Sequence, residues 1–378
     1  MGWLLLSAAL DFGCALAMAR WPGRKGAFLA LSLVGNLGLL TYWKAFAPGP
    51  MPPGISFYTF QTLSYTLDVF HGRLAARRDP WLILAYVAWF PQLLAGPIER
   101  GSDLIPQLER PFAISAADVQ EGGALLCSGL VQKVVVADTL APYVDAVWST
   151  APRPWPLQVV GTAAFALQLF ADFSGYTDIA RGASRMMGVR LSQNFDRPFA
   201  AASPMAFFAR WHITLGRLLR DDLYTPLRAR VGAPLALLLT FALAGLWHGV
   251  GLTFLAWGLW FGLLCLLWAA ADPQRRLPRP LGIALTLAGV AVGMSLFRAP
   301  TLGAALPLPT LGDPASLAQA AILASLTATL GALCLALGHL ERAPPRSPLL
   351  AGGLVGIGLL ALLVFSATDQ RPFVYFQF

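Results

Sequence analysis

The chain has 378 residues, 57% of them hydrophobic and only 12% charged, with a mean hydropathy of +0.62. Soluble domains carry about 25% charged residues, so composition excludes an ordinary soluble globule and points to a polytopic membrane protein. The net charge of +8, with 24 arginines among 27 basic residues, belongs to short cytoplasmic loops under the positive-inside rule and not to a nucleic-acid face.

At roughly 20 residues per crossing, about ten spans fit. The candidates in chain order lie near 2–19, 27–46, 54–70, 81–97, 119–137, 157–175, 232–249, 251–271, 281–297, 317–339 and 348–366. The expected fold class is all-α, with about ten transmembrane helices. Several candidates are short or polar enough to be re-entrant, tilted or interfacial. Asp11 interrupts the first. Arg20/Arg24/Lys25, Arg73/Arg77/Arg78, the arginine-rich 181–230 stretch, Arg275/Arg276/Arg279 and Arg342/Arg346 would face the cytoplasm. The neutral, proline-rich segments Ala47–Pro53, Ser149–Pro156 and Ala299–Ser316 would face outward. No linker, low-complexity tail, internal repeat or cleavable leader is seen, so one transmembrane domain over 1–378 is expected. Cys14, Cys127, Cys265 and Cys334 lie in apolar runs without C-x-x-C spacing and read as small buried hydrophobes.

The stretch 168–250 is the polar core of this domain. In Gln168-Leu-Phe-Ala-Asp-Phe-Ser-Gly-Tyr-Thr-Asp178, the groups Asp172, Ser174, Tyr176, Thr177 and Asp178 abut an apolar run. Buried polar groups need partners, so these line a pocket or brace a helix break at Gly175. From Phe207 to Tyr224 the periodicity is helical. Phe208, Trp211, Leu215, Leu218, Leu219 and Leu223 form one face, with Arg210, His212, Arg217, Arg220, Asp221 and Asp222 mostly opposite. That pattern predicts an amphipathic helix in the interface; a solvated basic face is the plainer alternative for each arginine.

His248 stands in Phe241-Ala-Leu-Ala-Gly-Leu-Trp-His-Gly-Val-Gly251, within an apolar run reaching from Val231 to Ala271. An ionisable group at that depth costs several kcal/mol unless it lines a polar cavity. A neutral imidazole there can act as general base toward a hydroxyl, and Gly245 and Gly249 would let substrate or backbone come close. The plainer alternative is a histidine hydrogen-bonded to a neighbouring span. His212 is a second, weaker candidate. His71 and His339 read as interfacial. There is no phosphate-binding loop, no nucleophile elbow and no histidine pair at metal spacing, so no metal is expected.

Several segments in order resemble one family. Phe241–Gly251 is similar to the Trp-His-Gly signature of membrane-bound O-acyltransferases. Five further stretches resemble the bacterial alginate O-acetylation branch of that family: Pro53-Gly-Ile-Ser-Phe-Tyr-Thr-Phe-Gln-Thr-Leu-Ser-Tyr65, Phe90-Pro-Gln-Leu-Leu-Ala-Gly-Pro-Ile-Glu-Arg100, Phe170–Asp178, Asn194-Phe-Asp-Arg-Pro-Phe199, and Arg210-Trp-His-Ile-Thr-Leu215 with Arg220-Asp-Asp-Leu-Tyr-Thr-Pro226. The C-terminal Phe373-Val-Tyr-Phe-Gln-Phe378 matches as well. The likeness runs from about residue 25 to the end. The branch usually has a further span before the segment matching 27–46, so an alternative start site or a compact variant is expected.

The resemblance implies helices around a central tunnel through the membrane, with His248 as the catalytic residue and His212 as the second one. It implies an acyl thioester donor, acetyl-CoA or an acyl carrier protein, approaching from the cytoplasm, and no permanently bound cofactor. Arg210, Arg217 and Arg220 could then meet donor phosphates. Trp211, Trp247 or backbone amides could meet an oxyanion, while Asp172, Ser174, Tyr176, Asp178 and Asn194 would line the acceptor side. Tyr375 would carry the acyl group or serve as an aromatic anchor. The implied partners are the bilayer, an extracytoplasmic SGNH-type acetyltransferase and possibly an acyl carrier protein, in a bacterial inner membrane. Peptidoglycan O-acetylation and teichoic-acid D-alanylation are alternatives within the family. A transporter with His248 in a proton relay is the alternative of another class, and it predicts pseudo-repeats.

Overall fold

The computed structural model of the chain describes residues 2–149, 153–271, 277–307, 309–342 and 348–365. Among these residues the secondary structure is helical. No strand is formed, although an isolated antiparallel bridge pairs Phe195 with Trp211. Seven helices are long and apolar enough to cross a membrane: Gly2–Arg20, Pro22–Ala45, Ala116–Ser149, Trp155–Met186, Leu252–Ala271, Arg279–Arg298 and Pro314–Gly338. Two shorter apolar helices, Ala233–His248 and Gly356–Phe365, accompany them. The described chain forms two compact units, Met1–Leu126 with Ile179–Gln193, and Cys127–Asp178 with Asn194–Phe378.

The first unit is built on α1 (Gly2–Arg20), α2 (Lys25–Ala45) and α3 (Ile55–Phe70), which pack on one another. The prolines after Phe46 cannot continue α2. Asp11, which seemed to interrupt α1, is buried and accepts from Ser32 Oγ at 2.5 Å and Asn36 Nδ2 at 2.9 Å. Ser7 joins Asn36 and Thr62 to the same cluster. These buried polar residues of α1, α2 and α3 therefore satisfy one another.

The run 81–97 is not a span. α4 (Pro80–Val87) lasts eight residues, 88–100 is irregular, and α5 (Gly101–Leu108) follows. Arg77, just before α4, pairs with Glu109, just after α5, at 2.6 Å. Both ends of the excursion are thus held together, and the chain doubles back. Pro91, Gly96 and Pro97 deny it a continuous helix. Non-helical backbone at membrane depth must be satisfied by protein. Accordingly Glu99 N donates to Gln61 Oε1 at 2.9 Å, and the Tyr86 hydroxyl bridges the Gln61 and Glu99 carbonyls at 2.9 Å each. Asp68, fully buried, receives Arg73 Nε at 2.7 Å, Arg100 Nη1 at 3.3 Å and Ser102 N at 2.8 Å.

α6 (Ala116–Leu130) runs through a π-helical stretch, Val131–Ala137, into α7 (Asp138–Ser149). α8 (Trp155–Met186) is continuous for 32 residues, about 48 Å at 1.5 Å per residue. No break occurs at Gly175. A Cβ there would lie 2.7 Å from Gly129 O, so the glycine serves close packing of α8 on the 129–133 segment. Two loops expected to share the outer side do pack together: Trp155 N donates to Thr310 O at 3.2 Å, and Arg153 reaches Ala304 O at 3.3 Å.

Candidate active site

His248 is the last residue of α12 (Ala233–His248), and α13 (Leu252–Ala271) begins after three residues. The two helices cross at contact distance because glycines face carbonyls. A Cβ at Gly245 would lie 2.2 Å from Phe254 O, and one at Gly258 would lie 2.2 Å from Phe241 O. Small residues allow such close approach between membrane helices. Gly249 faces the Phe254 ring in the same way. The space beside the histidine that the sequence left to substrate or backbone is thus taken up by α13.

This crossing holds His248, 6% exposed, among aromatic rings. Its imidazole meets Trp247 at 4.6 Å, Trp257 at 5.0 Å and Phe297 at 5.0 Å between ring centres, each edge to face. Phe297 comes from α14 (Arg279–Arg298), and Phe254 and Trp257 pack against it.

His212 arrives from a different part of the chain. The Phe207–Tyr224 stretch is not one helix. α9 (Pro204–Phe208) stops, His212 takes a left-handed conformation at φ 49°, and α10 (Ile213–Leu219) starts. A π-helical turn, Arg220–Tyr224, then leads into α11 (Thr225–Val231). The reversal places His212 inside, against Phe173 at 4.7 Å, where a continuous helix would have set it on the polar face. Asn194 secures the turn. Its carbonyl receives Ile213 N at 2.9 Å, and its Oδ1 receives Thr214 N at 3.2 Å and Thr214 Oγ1 at 3.0 Å. His212 Nδ1 lies 3.2 Å from the same Oδ1. A backbone amide can only donate, so the atom it meets is the oxygen, and Nδ1 must be the protonated ring nitrogen. The lone pair is then on Nε2. His212 lies outside the candidate spans, and burial pushes its pKa down to about 3, so the imidazole is neutral.

Trp247 joins the two. Its ring is 6.2 Å from His212 and 4.6 Å from His248. Residues 36 apart in sequence thus meet one indole.

The other expected residues divide by role. Trp211 is a packing residue: it stacks on Phe207 at 5.5 Å and meets Phe195 edge-on at 5.2 Å. Arg210 is half-buried and its carbonyl accepts from Asp196 N at 2.9 Å. Arg217 is half-buried on α10, while Arg220 is largely exposed and pairs with Asp221 at 2.8 Å. Asp172 pairs with Lys133 at 2.7 Å, and Lys133 also reaches Asp138 at 2.8 Å. Ser174 and Asp178 both bond Gln132, the latter at 3.0 Å. These three therefore brace α8 against the π-helical stretch. Tyr176 is half-buried on α8. Tyr375 lies outside the described residues.

Trp257, Phe297 and Phe173 were not anticipated. Trp257 and Phe297 are ordinary aromatics in apolar runs, with no local signal to set them apart, and Phe173 stood unremarked among the polar groups of the 168–178 stretch. Trp257 is the most consequential. It is buried beside His248, and its Nε1–H has no acceptor among the described residues.

Comparison with known proteins identifies the family. Residues 55–281 match the membrane-bound O-acyltransferase family. The chain is 38% identical over 263 residues to a protein of Pseudomonas aeruginosa named a probable alginate O-acetylase AlgI, covering 67% of this chain and 49% of that one. It is 35% identical over 372 residues to the Pseudomonas putida protein of the same name, covering 87% and 75%. It is 29% identical over 335 residues to a peptidoglycan O-acetyltransferase of Helicobacter pylori, covering 75% and 64%. The chain spans about half the length of the P. aeruginosa relative. Both histidines lie inside the matched region, and the chain belongs to the membrane-bound O-acyltransferase family.

Proposed function

We propose that the chain is a multi-pass O-acyltransferase of a bacterial inner membrane. It takes an acyl group, in the first instance acetyl, from a cytoplasmic thioester, acetyl-CoA or an acyl carrier protein. It passes the group outward for O-acetylation of an extracellular polysaccharide such as alginate. The carrying observation is the meeting of His248 and His212 at Trp247 within an aromatic enclosure. The names of the relatives support acetyl transfer, and the peptidoglycan enzyme among them supports the same chemistry on another acceptor.

The reaction is the attack of a hydroxyl on a thioester. His248 removes the hydroxyl proton as the oxygen–carbon bond forms. Collapse of the tetrahedral intermediate breaks the carbon–sulfur bond, and the thiolate recovers the proton from the imidazolium. The surrounding rings exclude water, which favours transfer to the intended hydroxyl over hydrolysis. The Trp257 indole N–H is a buried donor beside His248, suited to a developing oxyanion. His212, with its lone pair on Nε2, positions the donor or a proton. Arg210, Arg217 and Arg220 would meet donor phosphates. Tyr375 would carry the acyl group to an SGNH-type partner outside the cytoplasm.

The test is incorporation of labelled acetyl into polymer by membranes carrying His248→Ala. Loss of incorporation is expected; wild-type incorporation would overturn the enzyme reading and favour a proton-relay transporter. Full delivery by Tyr375→Phe would remove the carrier role alone.

A further inference from the structure

The end of α14 is gripped by α8 at two points. Phe165 stacks on Phe297 at 6.3 Å between ring centres. Two turns earlier on the same face of α8, Gln158 Nε2 donates to Ser295 Oγ at 2.8 Å and to the Ala305 carbonyl at 3.2 Å. Ser295 Oγ in turn donates to Ala305 O at 2.7 Å. The orientation of Gln158 is settled, because Arg153 Nη1 meets its Oε1 at 2.6 Å and a guanidinium can only donate. The donors therefore run one way, from Arg153 to Gln158 to Ser295 to Ala305, and each bond polarises the next. All three side chains are buried. The Arg153 guanidinium is held over the Trp148 ring at 4.4 Å, and its Nη2 donates to Trp148 O at 3.4 Å.

What this chain of bonds holds is a wall of the candidate site. Ser295 and Phe297 stand two residues apart in the last turn of α14. The Phe297 ring meets His248 at 5.0 Å and Trp257 at 5.7 Å. Trp247 and Trp257 reach His248 from α12 and α13, whose own crossing fixes them. Phe297 comes from α14, so its place depends on how the end of that helix is fastened. Dispersion contacts are individually weak and non-directional, and ring packing by itself lets a ring slide. Hydrogen bonds are directional and fix a position. An apolar side chain at 158 would serve packing without a buried amide to satisfy, so the amide there calls for a reason.

We propose that Gln158 is a positioning residue for acyl transfer. By fixing the end of α14 it keeps Phe297 against His248, so that water does not reach the thioester ahead of the acceptor hydroxyl. This rests on the acyl-transfer reading given above. The reaction suppressed is hydrolysis: water forms the oxygen–carbon bond in place of the hydroxyl, the carbon–sulfur bond breaks, and the thiolate takes the proton. Acetate and free thiol result. Gln158 acts through Ser295 and Phe297, and not on the reacting atoms.

The test measures how the acetyl group divides between polymer and water. Membranes carrying the full chain are given labelled acetyl-CoA. Acetyl incorporated into polymer is compared with free acetate, after subtraction of the acetate released by His248→Ala membranes. Gln158→Leu should lower incorporation about tenfold and raise the ratio of acetate to incorporated acetyl about tenfold. The donor KM should stay within about twofold, since ground-state binding is not the target. Ser295→Ala leaves Arg153 its Gln158 acceptor and should shift the ratio the same way by less; it carries the test where Gln158→Leu lowers the amount of folded protein. The double variant should shift the ratio no further than Gln158→Leu alone, because the two act through one link. A merely structural defect would lower both products in proportion, and an unchanged ratio overturns the inference, as do additive shifts in the double variant. His248→Ala separates this inference from the reading beneath it. Incorporation retained there overturns both, whereas incorporation lost there with an unchanged ratio in Gln158→Leu and Ser295→Ala overturns the positioning role alone.

Discussion

Two regions, the α1–α5 helices and the surroundings of His248, meet the same demand, polar groups inside an apolar fold, in different ways. In the first, polarity is answered by polarity: Asp68 receives two guanidinium groups and an amide, and Asp11 receives a hydroxyl and a carboxamide. In the second, His248 is answered by rings, with Trp247, Trp257 and Phe297 around it. Charged or amide partners hold a shape but quench reactivity. Aromatic walls exclude water from the space around an imidazole. The difference separates groups that build the protein from groups that act in it, and substitutions should respect that boundary.

The largest effects test it directly. His248→Ala should lower acyl transfer about a thousandfold while leaving the helical circular dichroism and the unfolding midpoint near wild type. A collapse of folding would make His248 structural and break the contrast. Asp68→Ala should do the reverse. It strands buried Arg100, and removing one partner of a buried pair costs about 3–5 kcal/mol, readable as a lower denaturation midpoint. Trp257→Phe keeps a ring against Phe297 and Phe261 but removes the indole donor. It should lower kcat about a hundredfold with little change in KM, whereas an equal change in both would mean that Trp257 binds ground state and transition state alike.

Smaller effects sharpen the case of His212, which shares features of both regions. Asn194→Ala removes the acceptor that fixes its tautomer. It should cost about 1–3 kcal/mol in stability and about tenfold in kcat, and Asn194→Asp should recover stability more than rate. The pH dependence follows from the depressed pKa of about 3. Above the unfolded value near 6.5 both states are neutral and His212 contributes no slope. As pH falls below that value the unfolded chain takes up a proton that the folded one refuses. Stability then declines by about 1.4 kcal/mol per pH unit until the folded site titrates near 3. Unfolding midpoints from pH 7 to pH 5 should show this slope in the wild type and a shallower one in His212→Gln. Equal slopes would place the proton elsewhere.

Much of the architecture was legible because hydropathy and charge act locally. Apolar runs near 2–19, 27–46, 251–271 and 281–297 became spans, with boundaries shifted by a few residues. The failures share a cause. Residues 81–97 were as apolar as a span; Pro91, Gly96 and Pro97 marked where a helix would break, but the Arg77–Glu109 pair and the Gln61 and Tyr86 hydrogen bonds were needed to show that the chain turns back. The 207–224 periodicity was helical, yet Asn194 draws Ile213 and Thr214 into a turn that a periodicity count does not register.

By itself, the sequence determined that this is a helical membrane protein with a histidine at a depth where histidines are costly, and its ordered motifs named the family. Those are properties of composition and local pattern, which do not depend on what lies opposite. Tertiary structure decided the rest. It decided that His212 turns inward to share Trp247 with His248, that the Trp257 indole stands beside His248, and that Asp172, Ser174 and Asp178 brace a helix. It also decided that Gln158 and Ser295 meet at the end of α14. The reason is physical: a side chain's chemistry is set by its neighbours within a few ångströms, and here those neighbours lie tens of residues away along the chain.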